Sequence, residues 1–226
     1  MLDILKEALF LENGRCPVCK RVLFFTEDHL CSKCVKGLEE VAGKVQGDDW
    51  ENTSIEKVYA PYLYEGSIKD IVHLMKFGNR PGLCAFMGEL VGEHISGFGH
   101  PDFEVIIPVP LHENSLKERG YNQSEMMAKG IFQKVSQISY PSPELDLKAL
   151  VKVKDTLHQR DLNKSERLVN LKDAFEIKNP EAVRGRRVLL VDDVFTTGAT
   201  VRACSKELLK AGAVKVSVGV LAGVEK

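Results

Sequence analysis

Residues 188–200, Val-Leu-Leu-Val-Asp-Asp-Val-Phe-Thr-Thr-Gly-Ala-Thr, constrain this chain more than any other stretch. A short continuous apolar run fits a strand buried on both faces. This one delivers two adjacent carboxylates, Asp192 and Asp193, to its C-terminal end, and a loop of small residues then opens a helix. Such a loop turns backbone N–H groups and a helix N-terminus toward an anion. Thr196, Thr197 and Thr200 add hydroxyl donors, while Gly198 and Ala199 keep the loop small enough for close backbone approach. A plain strand–turn–helix has no packing use for paired acids followed by TTGAT, and no GK[ST] follows the glycine, which excludes a Walker-type loop. The stretch therefore predicts a phosphate in the loop, with the acids on the vicinal hydroxyls of its sugar.

The surrounding pattern predicts the fold class. KVYAPYLY reads as a strand ended by Gly66, and Ile68, Ile71, Val72 and Met75 then mark one face of a helix. A second helix is expected over 83–96. FEVIIPVP reads as a buried strand that stops where Pro108 and Pro110 remove backbone donors. A helix over roughly 122–137, a strand in LDLKALVKV, a strand in RRVLLVDDV, a helix ended by Gly212 and a last strand in VKVSVGVLA complete the series. Alternation of this kind implies an α/β fold, a mainly parallel sheet with flanking helices on both faces. The length, 226 residues, allows one large domain with a small appendage. The expected division is 1–54 for an N-terminal helix, a cysteine knuckle and a connector, and 55–226 for the α/β domain.

Cys16-x-x-Cys19 and Cys31-x-x-Cys34 have the spacing at which four thiolates meet around one tetrahedral Zn²⁺, a structural site for a segment too small to fold alone. Phe24 and Phe25 at the tip between the pairs suit either stacking on single-stranded bases or packing onto the main domain. Five cations and two acids between Arg15 and Lys36, with the net -2 of a four-thiolate zinc site, leave only about +1 there. Cys84 and Cys204 lie in apolar helical contexts and read as packing residues.

The whole chain carries a formal charge of -1, so no global electrostatic footprint calls for nucleic acid. No window approaches the ~18 uninterrupted apolar residues of a membrane span, and the opening MLDILKEALFLENGR has acids where a secretory leader has cations. A cytoplasmic protein without membrane insertion is expected.

The acid-acid-loop stretch resembles the phosphoribosyl pyrophosphate (PRPP) motif of type I phosphoribosyltransferases. Taken with the cysteine knuckle, Lys76-Phe77, PVPLHENSLKERGYNQ and DTLHQRDLNKSERLVNLKDAF, it makes nearly the whole chain similar to the ComF family, which is associated with DNA uptake in natural competence. The resemblance implies a type I phosphoribosyltransferase-like fold binding PRPP with Mg²⁺. It implies that Leu111–Gly120 is the pyrophosphate loop, with Arg119 as a bidentate ligand of the diphosphate and Lys117 as a point charge beside it. It further implies a lid over Lys152–Lys172 in which Lys152 serves catalysis and Thr156, Gln159, Arg167 and Asn170 match the family pattern, while the residues by themselves also suit a solvated helix there. Ser115, Lys117 and Lys152 stand where the family usually has stronger basic groups, which implies a looser grip on the diphosphate. The catalytic set is then Asp192, Asp193, Arg119 and Lys152.

Two readings of function stay open on the sequence. One is phosphoribosyl transfer to an acceptor that no residue reveals. The other is a factor that handles single-stranded DNA or binds other competence proteins, its PRPP site regulatory or vestigial.

Overall fold

The computed structural model describes residues 14–23, 27, 29–39, 54–155, 171 and 173–224. The helix expected at the N-terminus, the Phe24–Phe25 tip, and Thr156, Gln159, Arg167 and Asn170 of the expected lid lie outside those residues. In chain order the elements are α1 (Ser32–Glu39), β1 (Lys57–Tyr59), β2 (Tyr62–Leu63), α2 (Gly66–Phe77), α3 (Pro81–Ser96), β3 (Val105–Pro108), α4 (Glu113–Arg119) and α5 (Gln123–Val135). They continue with β4 (Glu144–Leu145), β5 (Leu150–Lys152), β6 (Phe175–Ile177), β7 (Arg187–Phe195), α6 (Ala199–Lys210) and β8 (Lys215–Gly223).

The main sheet has the order β1-β8-β7-β3-β4, with β2 also on β8, and each of these pairs is parallel. Its centre is built from the apolar runs. Side chains alternate along a strand, so Leu189 and Val191 of β7 enter one core cluster while Val188 and Leu190 enter the other. In β3, Ile106 faces the first cluster, and Val105 and Ile107 face the second. Buried residues of α2, α3 and α5 cover the first face; Val201, Cys204 and Leu208 of α6 cover the second. The expected parallel sheet with flanking helices is the fold observed, and Cys84 and Cys204 are buried packing residues within it.

Helices α3 and α5 approach closely because glycines line their contact. A Cβ on Gly130 would stand 2.0 Å from the Ala85 carbonyl oxygen, and one on Gly88 2.2 Å from that of Met127. This packing fixes α5, whose first residues enter the site described below.

Three local expectations are corrected. KVYAPYLY forms two short strands rather than one, β1 and β2, with Ala60 and Pro61 between them; Pro61 has no N–H for a sheet ladder. LDLKALVKV also splits, because the Asp146 carboxylate accepts the N–H groups of Lys148 (2.7 Å) and Ala149 (2.8 Å) and turns the chain. Glu144–Leu145 therefore stays in the main sheet, whereas Leu150–Lys152 pairs antiparallel with Phe175–Ile177 in a small second sheet. Finally, Leu111–Gly120 is largely helical. His112 Nδ1 accepts the Asn114 N–H at 3.3 Å to start α4, and Gly120, at φ 79°, ends it in the left-handed region that favours glycine.

Candidate functional site

The cysteine knuckle begins with Arg15 and Val22 bridged antiparallel, which brings Cys16 and Cys19 onto one turn. Cys31 and Cys34 flank the start of α1. All four sulfurs lie within 4.8 Å of one another, with Cys19 Sγ 3.6 Å from Cys31 Sγ. Tetrahedral thiolate coordination at about 2.3 Å per bond separates sulfurs by roughly 3.8 Å, so the quartet fits a single metal ion. The His29 ring packs at 5.8 Å from that of Phe86 and fills the space that a Cβ on Gly82 would need, with Cε1 2.6 Å from that position. Cys16, Leu30, Cys31 and Leu38 share a core cluster with α2 and α3, so the knuckle is packed onto the α/β body. Arg21 is ion-paired with Glu27 at 2.6 Å, so one of the cations and one of the acids counted in this segment offset each other locally.

At the C-terminal end of β7, Asp192 and Asp193 point to different surroundings. Asp192 is half-buried, and its Oδ1 accepts the Ser124 hydroxyl at 3.1 Å and the Asp193 N–H at 2.9 Å. Burial raises its carboxyl to about 7; the neighbouring Asp193 carboxylate adds to the shift and the Lys76 ammonium opposes it. Asp193 is only 4% exposed, with Lys76 Nζ 2.8 Å from its Oδ2 and Gln123 Nε2 at 3.5 Å from the same atom. Burial alone would lower the Lys76 ammonium, but the Asp193 carboxylate outweighs it and holds the pKa above the usual lysine value. The expectation that paired acids have no internal use is thus corrected for Asp193, which carries a structural counter-ion.

The cation arrives from far away in sequence. Lys76 sits in the last turn of α2, and the Tyr121 hydroxyl ties that turn down by donating to the Met75 carbonyl at 2.7 Å. Asn122 starts α5 by accepting the Ser124 N–H at 3.0 Å, while its side-chain amide donates to the Val109 carbonyl at 2.9 Å. That cap places Gln123 and Ser124 against the acids. Gln123 also accepts from Arg119, whose guanidinium lies 5.6 Å from the centre of the Phe77 ring. Lys76, Arg119, Gln123, Asp193, Asp192 and Ser124 therefore form one connected polar cluster.

The loop after β7 has the expected shape. Gly198 adopts φ 70°, and a Cβ there would also meet the Phe195 ring at 2.5 Å, so two constraints require glycine. Helix α6 begins at Ala199, with the Arg202 N–H donating to the Gly198 carbonyl at 2.9 Å. Thr197 Oγ1 accepts the Ala199 N–H at 3.4 Å, leaving its own proton to donate elsewhere. Thr196 is exposed, and Thr200 lies in the first turn of α6.

Two expected site residues make no hydrogen bond with this cluster, although the Asp192 carboxylate acts on the Lys152 ammonium through space. Lys117 is exposed on α4, 4.0 Å from Glu113, a surface pair one helical turn away. Lys152 is the last residue of β5, with its ammonium 6.0 Å from the centre of the Phe175 ring; burial pushes its pKa down. Gln123 and Ser124 were absent from the residues expected on sequence grounds. The signal for them was the YNQS stretch that starts a helix directly after Arg119-Gly120.

The phosphoribosyl transferase domain family matches residues 124–226, which include both acids and the loop. DNA utilization protein YhgH of Escherichia coli is 29% identical over 218 residues, 91% of this chain and 88% of that protein. Competence protein ComFC of Bacillus subtilis is 26% identical over 219 residues, covering 93% of this chain and 85% of its own. Competence protein F of Haemophilus influenzae is 40% identical over 121 residues, 53% of this chain and 50% of that protein.

Proposed function

We propose, for a chain that belongs to the ComF family of phosphoribosyltransferase-like proteins, that the C-terminal end of β7 binds PRPP together with Mg²⁺ and that the protein acts in DNA uptake. The observation that carries the reading is the pairing of a half-buried Asp192, held by Ser124, with the Gly198 loop and the N-terminus of α6 immediately after it. Ligands in open parallel sheets bind outside the carboxyl ends of the strands, and this cluster lies there.

Each residue has a task in that reading. The loop 196–200 holds the 5-phosphate: the N-terminus of α6 favours negative charge, and the threonines supply hydroxyl donors. Asp192 accepts from the ribose. Arg119 presents a planar guanidinium to the diphosphate, already oriented by Gln123 and Phe77. Mg²⁺, bound with PRPP, supplies charge neutralisation on the leaving diphosphate. Asp193 completes the acid pair, Lys117 adds long-range positive charge, and Lys152 stands at the root of the 152–172 segment to serve it as a cation.

The cysteine quartet holds structural Zn²⁺ in this reading, which favours the reducing cytoplasm, where thiols persist. The names of the relatives, DNA utilization and competence proteins, support a place in handling imported DNA. Calorimetric titration of the zinc-loaded protein with PRPP and Mg²⁺ tests the site. Saturable binding is expected, with loss of at least about tenfold in affinity in Asp192→Ala/Asp193→Ala, equivalent to about 1.4 kcal/mol or more. Equal binding by the wild type and the double variant would overturn it.

A further inference from the structure

The start of α3 is held by groups from outside the helix. Arg80, ahead of Pro81, makes no side-chain capping bond, and its N–H is taken by the Tyr121 hydroxyl at 3.1 Å. The Cys84 thiol, in α3, lies 3.7 Å from the Met75 carbonyl, the same oxygen that accepts the Tyr121 hydroxyl. A further hold comes from the cysteine knuckle. Gly82 and Phe86 lie four residues apart on α3 and share a face, and His29 lays its ring over both. A Cβ on Gly82 would stand 2.6 Å from the ring's Cε1 and 3.1 Å from its Nε2, so only glycine admits the ring there, and the Phe86 ring meets it tilted by 50°. Leu30 and Cys31, directly after His29 in the chain, are buried in one core cluster with Met75, Leu83 and Cys84. Packed contacts thus run from the sulfur quartet through His29 and the first turn of α3 to Met75. The next residue, Lys76, reaches Asp193 at 2.8 Å.

We infer that His29 is a positioning residue that couples the knuckle to the site at the end of β7, so that zinc in the quartet and PRPP in the site each strengthen the other's binding. The inference rests on the proposed PRPP site and adds a mode of regulation to it. Convergence of four thiolates orders the chain on both sides of His29 and so seats the ring in the Gly82 notch. With the ring seated, the α2–α3 connection and Lys76 are already arranged for the ligand. Without it, the ligand must itself order that connection, and its affinity falls by the fraction of molecules that are competent. Linkage requires the converse effect to be equal, so PRPP raises zinc affinity by the same factor.

Spatial continuity does not by itself transmit a free energy, so the test measures the coupling. Zinc affinity of the full chain is read by competition with a chromophoric chelator in excess Mg²⁺, with and without saturating PRPP, and PRPP affinity by calorimetry of the zinc-loaded and zinc-free chain. The wild type is expected to show the same factor, about fivefold or more, in both directions. Asp192→Ala/Asp193→Ala controls for zinc taken up by PRPP itself and should show no factor. His29→Ala removes the ring and Gly82→Ala displaces it from the other side; each should still bind zinc through the four cysteines while the factor falls to about twofold or less. Zinc affinity unmoved by PRPP in the wild type, or an undiminished factor in either ring variant, would overturn the inference and leave the PRPP site standing. No PRPP binding by the zinc-loaded wild type would instead sink the site and this inference with it.

Discussion

The Tyr121 hydroxyl donates to the Met75 carbonyl at 2.7 Å and accepts the Arg80 N–H at 3.1 Å, closing the gap between the end of α2 and the start of α3. This clamp sits one residue before Lys76 and two after Arg119, so it sets the position of both cations about the acid pair. Tyr121→Phe keeps the ring and removes the two bonds. Leaving the Met75 carbonyl and the Arg80 N–H without their partner costs about 1–3 kcal/mol, measurable as a lower urea midpoint at unchanged slope. An unchanged midpoint would show that the clamp contributes nothing net.

Asp192 makes stability depend on pH in the direction opposite to a salt-bridged carboxylate. Its folded pKa is raised to about 7 by burial, against about 3.9 in the unfolded chain. The folded state therefore binds more protons between those values, and the stability associated with this group is fully present below about pH 4 and lost as pH rises through about 7. Asp192→Asn removes the loss. Relative to wild type, the variant should gain thermal stability progressively from pH 4 to pH 7 and level off above; a constant difference across that window would contradict the raised pKa.

The cysteine quartet should carry about one zinc per chain. Because Cys16 and Cys31 are core residues shared with α2 and α3, metal removal should loosen more than the knuckle. Cys16→Ser/Cys31→Ser is expected to lose the metal by elemental analysis and to melt several degrees lower, and a strong chelator should reproduce the shift in the wild type. A metal-free variant with an unaltered melting curve would show that the module folds on its sulfurs and apolar contacts alone.

Gly130→Ala inserts a methyl 2.0 Å from the Ala85 carbonyl oxygen, a backbone atom that cannot move aside without shifting α3 against α5. A destabilisation of about 1–3 kcal/mol is expected from overpacking. Gly37→Ala is the control: it meets nothing within 4 Å and lies inside α1, where alanine is favoured over glycine by about 1 kcal/mol. Equal effects of the two changes would mean that the helix contact yields freely.

How much of this was legible in the chain itself follows the range of the forces involved. The strand at β7, the loop at Gly198, the helix at Ala199 and the cysteine spacing are local. A continuous apolar run, a left-handed glycine and a pair of C-x-x-C turns impose their geometry within a few residues of themselves, so the sequence by itself determined them. The splitting of LDLKALVKV and the helix in 113–119 were nearly local, decided by Asp146 accepting two backbone N–H groups and by the His112 and Gly120 caps. Only the tertiary structure decided that Asp193 faces Lys76 while Asp192 faces Ser124. Those bonds join α2, α5 and β7 at the carboxyl end of the central strands, and their partners are chosen by how glycine-lined helices pack and how strands are ordered, information spread over the whole core rather than carried by any motif.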